Sequence, residues 1–310
     1  MSIIDSGYDK VDSGYRRLTD GLPVSEDQLT DALKRGFPLA WFGTMVAVTL
    51  VVMLVISFQP TTDSNVFVAE YTLQNYLTLV EQTQYIGVFV NTVKLAAFAG
   101  LFAVVLSYPA AYFIGVKLPE RLQYPLVLAV IVPMWTLFII RVYAWMTILG
   151  TNGPVHQILL TLGMAGQDFT LLYTELAVVV VLAQIWFPMA FLPIYTAMSG
   201  IEDAYFEAAR DLGGSRWDVF RYIVFPLTLP STFGAFLLVF LPALGSYVIP
   251  LLVGGQQGFM IARVIASQFL SSFNWPFGAA LAVVLALVVL ALIGVLQRVI
   301  SFREALGGFA

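Results

Sequence analysis

Six apolar segments of membrane-spanning length follow one another along the chain. A bilayer core is crossed by about 20 apolar helical residues. Runs of this kind lie over residues 38–58, 89–116, 124–149, 176–198, 227–253 and 277–296. In the fifth run, Pro230, Pro242 and Pro250 are expected to interrupt the helix. The pattern predicts an all-α, polytopic membrane protein with six transmembrane helices.

Basic residues are distributed unequally between the two sets of loops. Twelve of the 15 Lys and Arg residues lie in the N-terminal tail, in the loops after spans two and four, and after span six. The other loops, 59–88, 150–175 and 254–276, contain only Arg263. Because Lys and Arg are retained on the cytoplasmic side, both termini are expected in the cytoplasm.

Polar tails flank a single membrane domain. Residues 1–36 are interpreted as a cytoplasmic tail, in which Ser25 and Gln28 have the capping-box spacing that starts a short amphipathic helix. Residues 37–300 form the transmembrane domain, and residues 301–310 form a second cytoplasmic tail. The first tail is not typical of a signal peptide, because its apolar run begins only near residue 37.

The composition argues against several kinds of catalytic site. The 310 residues are 59% hydrophobic and 11% charged, whereas soluble domains carry about 25% charged residues. Cysteine is absent and His156 is the single histidine, so neither a metal cluster nor a cysteine nucleophile is expected. The sequence also lacks the glycine-rich phosphate loop that ends in Lys and Ser or Thr. No metal or cofactor is expected in this chain, and nothing indicates nucleic-acid binding.

The loop 199–226, between spans four and five, has a regular spacing of apolar residues that a simple linker does not need. Good helix formers over 202–212 place four residues on one face, namely Tyr205, Ala208, Ala209 and Leu212. Gly213 and Gly214 then permit a sharp reversal, and a second apolar face follows. The prediction is helix, glycine turn and helix. A hairpin that rests on lipid headgroups is the alternative interpretation.

Residues within this loop carry a family resemblance. Glu207, Ala208, Ala209 and Gly213, followed by Ile223 and Pro226, resemble the EAA loop of ABC importer permeases, although Phe225 replaces a usual leucine. The resemblance implies the type I ABC importer fold, with this loop as the coupling helix that docks on a cytoplasmic ATPase. The small alanines suit close approach, and the Glu207 carboxylate suits a basic partner. ATP and Mg would be bound by the partner ATPase.

Further stretches resemble the spermidine/putrescine group of these permeases, namely residues 141–145, 241–245, 247–250, 254–255 and 274–279. This resemblance implies a bacterial inner-membrane complex with a homologous second permease, an ATPase dimer and a periplasmic solute-binding protein. The chain would form half of a pathway for a polyamine. Span five contains no carboxylate, so an opine, an amino-acid derivative or another small polar solute stays open.

Candidate pathway residues are polar or aromatic groups at membrane depth. Tyr247 and Ser246 lie at the expected break in span five, where irregular backbone can line a cavity. Tyr247 is expected to be a gate or a solute contact with Ser246 as a supporting polar group, and plain helix packing is the alternative. Arg141 is expected to contact solute, pair with Glu175 or cap carbonyls, and Lys94 to snorkel or contact solute. Further candidates for the pathway are Trp135, Tyr143, Gln184, Trp186 and Gln268, with interfacial anchoring as the alternative for the aromatic residues.

Two other function classes compete with the importer subunit. An ion-driven secondary transporter needs ionisable residues at mid-membrane, but spans one, five and six contain no acidic residue. A membrane enzyme needs a nucleophile and base or a set of metal ligands, which this composition does not supply. A non-catalytic permease subunit that contacts membrane lipid, other subunits and solute is the prediction.

Overall fold

The computed structural model describes residues 26–61, 70–164, 166 and 169–307, and within them every regular element is helical. The tail 1–25, with Ser25 of the expected capping box, lies outside the described residues. The chain divides into two units, residues 1–55 and 56–310. Most of the first unit's described part is helix α1, Glu26–Ser57, whose apolar portion is Ala40–Ser57. The expected short helix is not separate from the first span, because α1 continues through Pro38.

Twelve further α-helices form the described part of the second unit. They are α2 Gln74–Glu81, α3 Thr83–Tyr112, α4 Glu120–Ile131, α5 Phe138–Leu149, α6 Pro154–Thr161, α7 Glu175–Ser199, α8 Asp203–Asp211, α9 Arg216–Val219, α10 Phe225–Leu244, α11 Val248–Val253, α12 Ile261–Leu270 and α13 Trp275–Gly307. A π-helical turn, Phe113–Lys117, extends α3, and another, Phe220–Val224, joins α9 to α10.

The centre of this unit is the packing of α3, α7 and α10 against one another. On α3, Ala96, Ala99, Gly100 and Ala103 recur three and four residues apart and are all buried. Small side chains let helix backbones approach closely, which drives helix association in lipid. An added Cβ on Gly100 would lie 2.9 Å from the Phe236 ring of α10. This stripe therefore sets the distance between α3 and α10.

The third predicted span, 124–149, is wrong as a single straight helix. After α4 a 3-10 turn covers Val132–Trp135, and the helical segments on either side of Thr136 and Leu137 are bent by 96°. Pro133 has no N–H to continue the helix ladder, and the Thr136 hydroxyl donates to the Pro133 carbonyl at 2.7 Å. Within the described residues, five helices are long and apolar enough to span a membrane, and the bent pair makes a sixth if counted as one span.

The fifth span is broken at Ser246 and Tyr247, as expected, but none of its three prolines interrupts a helix. Pro250 lies inside α11, and α10 runs through Pro230 and Pro242 without ending. It ends at Leu244, and α11 begins at Val248. Three short helices, α2, α6 and α12, lie in the loops that the sequence pattern left without regular structure.

We predict that Gly100→Val destabilises the second unit by about 1–3 kcal/mol, the usual cost of overpacking a core. The Phe236 ring cannot move aside freely, because it stacks on Phe240 with ring centroids 5.4 Å apart. Gly87→Val on the same helix is the matched control, since no atom lies within 4 Å of its added Cβ. Thermal unfolding in detergent measures the difference. Equal melting temperatures for the two variants would contradict this role of Gly100.

Candidate functional site

The loop between α7 and α10 folds as the predicted helical hairpin. α8 ends at Asp211, and Gly213 takes φ +76°, a conformation that side chains with a Cβ rarely adopt. Gly214 packs so closely that an added Cβ would lie 2.8 Å from the Ala209 carbonyl oxygen. α9 then returns the chain toward α10. Gly213 is therefore required for its backbone angle, and Gly214 for the absence of a side chain.

The outer face of α8 is exposed. Glu207 and Ala208 are exposed, Ala209 is half-buried, and the apolar side chain of Leu212 is 88% exposed. Tyr205, on the same predicted face, is half exposed. An apolar residue so fully exposed beside alanines and a carboxylate is typical of a docking surface. We call this set, Tyr205, Glu207, Ala208, Ala209 and Leu212, the docking face.

A capping box begins the second arm of the hairpin and was not predicted. The Ser215 hydroxyl accepts the Asp218 N–H at 3.2 Å, while the Asp218 carboxylate accepts the Ser215 N–H at 2.9 Å. The signal in the sequence is Ser-x-x-Asp directly after the glycine pair, a spacing that starts helices. The reciprocal bonds fix where α9 begins.

Aromatic contacts anchor the hairpin to the membrane helices. Phe220 packs edge-on against Tyr108 and Tyr112 of α3, with ring centroids 5.9 Å apart in both pairs. The Tyr108 hydroxyl lies 2.6 Å from the Thr228 hydroxyl of α10. The second arm is thus fastened to α3, and its helix continues into α10. A force on the docking face therefore reaches both helices.

The break in the fifth span holds Ser246 and Tyr247. Both side chains are half-buried, and the Tyr247 carbonyl accepts the first hydrogen bond of α11, from Leu251 N–H at 3.1 Å. The helix ends where Gly245 follows Leu244. The structure thus places both residues at a backbone interruption between two apolar helices.

Arg141 and Trp145 of α5 contact the middle of α7, at Ile185 and Gln184, next to Trp186. Arg141 Nη1 donates to the Ile185 carbonyl at 3.4 Å, and Trp145 Nε1 donates to Gln184 Oε1 at 2.8 Å. Ile185 is the eleventh residue of α7, which puts it about 15 Å along that helix. Within the described residues, Arg141 Nε and Trp186 Nε1 are buried without a hydrogen-bond partner. The group is an incompletely satisfied polar cluster in an apolar setting.

The expected pairing of Arg141 with Glu175 is wrong. Glu175 instead accepts from Lys94 Nζ at 2.8 Å on both carboxylate oxygens. Lys94 and Glu175 lie on α3 and α7, which pack together along their length, whereas Arg141 meets α7 about 15 Å further along. Of the two alternatives within the chain, the pair with Glu175 and the contact with a carbonyl, the carbonyl contact is the one present.

Three other candidates lie apart from this cluster. Trp135 and Tyr143 are 85% and 54% exposed, on either side of the bend between α4 and α5. Gln268 lines a polar cleft of about 620 Å³ with Asn75 and Asn274. The structure therefore does not bring all the predicted pathway residues to one place.

A family model described as "Binding-protein-dependent transport system inner membrane component" matches residues 103–304. The chain belongs to that family. The match covers the docking face, the broken fifth span and the Arg141 cluster. The predicted permease subunit of an ABC importer, a membrane component and not an enzyme, is confirmed, as is its bacterial inner-membrane family.

Curated relatives cover most of the permease. The spermidine/putrescine transport system permease protein PotB of Salmonella typhimurium (strain SL1344) is 35% identical over 81% of this chain and 86% of its own length. PotB of Escherichia coli (strain K12) is 34% identical, over 81% and 90%. The inner membrane ABC transporter permease protein YdcU of Escherichia coli (strain K12) is 27% identical, over 86% and 88%.

Solved structures support the fold. A bacterial ABC transporter involved in import of the acidic polysaccharide alginate has a chain with TM-score 0.66 and 17% identity, covering 87% of this chain and 97% of that one. The same kind of transporter in complex with an alginate pentasaccharide-bound periplasmic protein gives TM-score 0.59 at 18% identity, over 84% and 93%. The predicted type I importer fold is confirmed.

We predict that Gly213→Ala loosens the hairpin. Alanine at a left-handed backbone position costs roughly 1–2 kcal/mol, so the open hairpin becomes roughly 5- to 30-fold more populated. Hydrogen exchange of the α8 amides measures this. Gly163→Ala is the matched control, because Gly163 has φ +67° and, like Gly213, nothing within 4 Å of an added Cβ, but it follows α6. Unchanged α8 exchange in Gly213→Ala would contradict the role of the turn.

Proposed function

We propose that the permease forms half of a polyamine pathway in an ABC importer. The main support for this proposal is the 32–35% sequence identity to the spermidine/putrescine permeases over 81–84% of this chain. In the proposed complex a homologous second permease completes the pathway, and a periplasmic solute-binding protein delivers the polyamine. Both termini lie in the cytoplasm, where the hairpin faces an ATPase dimer that binds ATP and Mg.

The docking face is the proposed contact with the ATPase. Leu212 supplies an exposed apolar contact, Glu207 a carboxylate for a basic partner, and Ala208 the close approach. The hairpin is held to α3 through Phe220 and continues into α10. Closure of the ATPase dimer would therefore tilt α10 and displace Tyr247 at its far end, which gives a physical route from hydrolysis to the pathway.

Exposed aromatic faces are the proposed contacts for the polyamine. Ammonium groups bind over aromatic rings, where each contact contributes about 0.5–2 kcal/mol. Trp135, in the 3-10 turn after α4, and Tyr143 of α5 offer exposed rings, and the half-buried Tyr247 lies at the break in the fifth span. Ser246 and Gln184 add neutral acceptors. Gln268, in its separate outer cleft, is proposed to contact the solute earlier, as it enters.

We predict that Glu207→Ala weakens the contact through which the permease stimulates the ATPase. A charge-assisted hydrogen bond contributes about 1.5–3 kcal/mol, so ATPase activity stimulated by loaded binding protein should fall at least roughly tenfold. The assay uses the complete transporter in proteoliposomes. Glu202→Ala is the matched control, since Glu202 is exposed in the same loop and makes no side-chain cap bond. Equal activity of the two variants would remove Glu207 from the interface.

A second prediction separates a polyamine from a carboxylate-bearing solute such as an opine. Arg141→Gln keeps a donor for the Ile185 carbonyl but removes the charge. A fixed cation repels a polyamine, so KM for spermidine uptake should stay unchanged or fall. A solute carboxylate paired with Arg141 would lose a charge-assisted bond, and its KM would rise at least roughly tenfold. Radiolabelled uptake by the complete transporter distinguishes the two, and a tenfold rise in KM for spermidine contradicts the polyamine proposal at this site.

A further inference from the structure

Two adjoining pockets lie between the end of α3 and the hairpin. They have volumes of about 560 and 400 Å³ and share Tyr112, Lys117 and Arg216 as lining residues. One extends along α3 past Tyr108, and the other reaches back to Arg210 of α8. The space is separate from the docking face, whose residues do not line it, and from the Arg141 cluster.

The side chains that line this space carry a net positive charge. Lys117, Arg210 and Arg216 line it, and the lining residues include no carboxylate. Across the described part of the chain, no ion pair joins any of the three to an acidic side chain. Lys117 Nζ lies 5.3 Å from the centre of the Tyr112 ring, and the nearby Asp218 carboxylate is held by Ser215. The pocket therefore attracts an anion.

Helix-end electrostatics does not account for all three cations. Lys117 and Arg210 lie in last turns, where a positive charge is favoured. Arg216 instead lies in the first turn of α9, where a positive charge is disfavoured. Asp218 is the acidic residue of that turn, and an anionic ligand between Lys117 and Arg216 would offset the positive charge that remains.

The larger pocket is otherwise apolar and aromatic. Tyr108, Pro109 and Phe220 form its walls, and Trp217, 65% exposed, stacks on Phe220 with ring centroids 5.4 Å apart. A partly exposed tryptophan at a helix end is typical of the membrane interface. An apolar wall that ends in cations matches an amphiphile with an anionic head. A soluble phosphate would leave the wall unused.

We propose that this space binds an anionic phospholipid. Its phosphate lies between Lys117 and Arg216, within reach of Arg210, and the start of its acyl chains lies against Tyr108, Pro109 and Trp217. Basic pockets between membrane helices bind lipid headgroups in this way. The lipid bridges α3 and the hairpin, so it sets how firmly the hairpin is held. This binding does not depend on which solute the permease transports.

The test measures lipid binding to the complete transporter in phosphatidylcholine bilayers with increasing phosphatidylglycerol. Spin-labelled phosphatidylglycerol reports the protein-bound fraction. Near a membrane surface each Lys or Arg contributes about 1 kcal/mol to anionic-lipid binding. The half-saturating lipid content should therefore rise roughly fivefold for each cation removed, in Lys117→Gln and Arg216→Gln singly and further in the double variant.

The matched control is the double variant Arg121→Gln with Arg221→Gln. It removes the same charge from the same end of the helices, and neither residue lines the pockets. Unchanged lipid binding in this control supports the proposal, and an equal loss in both double variants overturns it. Displacement of the lipid by inorganic phosphate overturns it in favour of a soluble anion. If the permeases alone bind phosphatidylglycerol selectively but lose it when the ATPase is added, the three cations bind an acidic surface of the ATPase, and the proposal is overturned.

Discussion

The close approach of α3, α7 and α10 is the constraint on which the rest of the structure depends. Between helices in lipid there is little hydrophobic driving force, so backbone proximity and dispersion must hold them together. Ala96, Ala99, Gly100 and Ala103 provide that proximity along α3, and Ala183, Ala190, Ala235 and Ala243 provide it on α7 and α10. Irregular backbone elsewhere in the unit is tolerated because these three helices form a continuous support.

The two interruptions of the membrane helices have different causes. At Thr136 the chain bends because Pro133 cannot donate to the helix ladder, and the Thr136 hydroxyl and N–H both donate to the Pro133 carbonyl. At Gly245 no proline stands in the gap, and α10 tolerates Pro230 and Pro242 within it. A proline in the chain thus predicts a break poorly in this protein, since tertiary packing decides which helix continues.

Local chemistry explains why the hairpin was predictable. Its glycine pair, its helix formers and its apolar spacing act within a few residues, and the structure reproduces all three. The short helices α2, α6 and α12 were missed because they are too short to cross a membrane and lie in polar loops. The pairing of Lys94 with Glu175, 81 positions apart, depends on how α3 and α7 pack, which no local pattern encodes.

The candidate site was predictable to different extents. The docking face lies on α8 and its C-cap Leu212, so spacing within one short segment identified Tyr205, Ala208, Ala209 and Leu212, and the family resemblance added Glu207. The polar cluster of Arg141, Gln184 and Trp186 joins two helices, and the sequence identified its members but not their partners. Gln268 was grouped with them by residue type alone, and the structure places it in another cleft.

A continuous helical path joins the hairpin to the break at Ser246 and Tyr247. Residues Arg216–Leu244 form one helical path of 29 residues, which is roughly 40 Å at 1.5 Å per residue. Its start is fixed by the Ser215 capping box, and its end opens at Gly245 beside Tyr247. Phe220 and Thr228 hold its first half against α3. In the proposed coupling, a tilt at the hairpin would be transmitted along this path to the break, where the backbone is least regular.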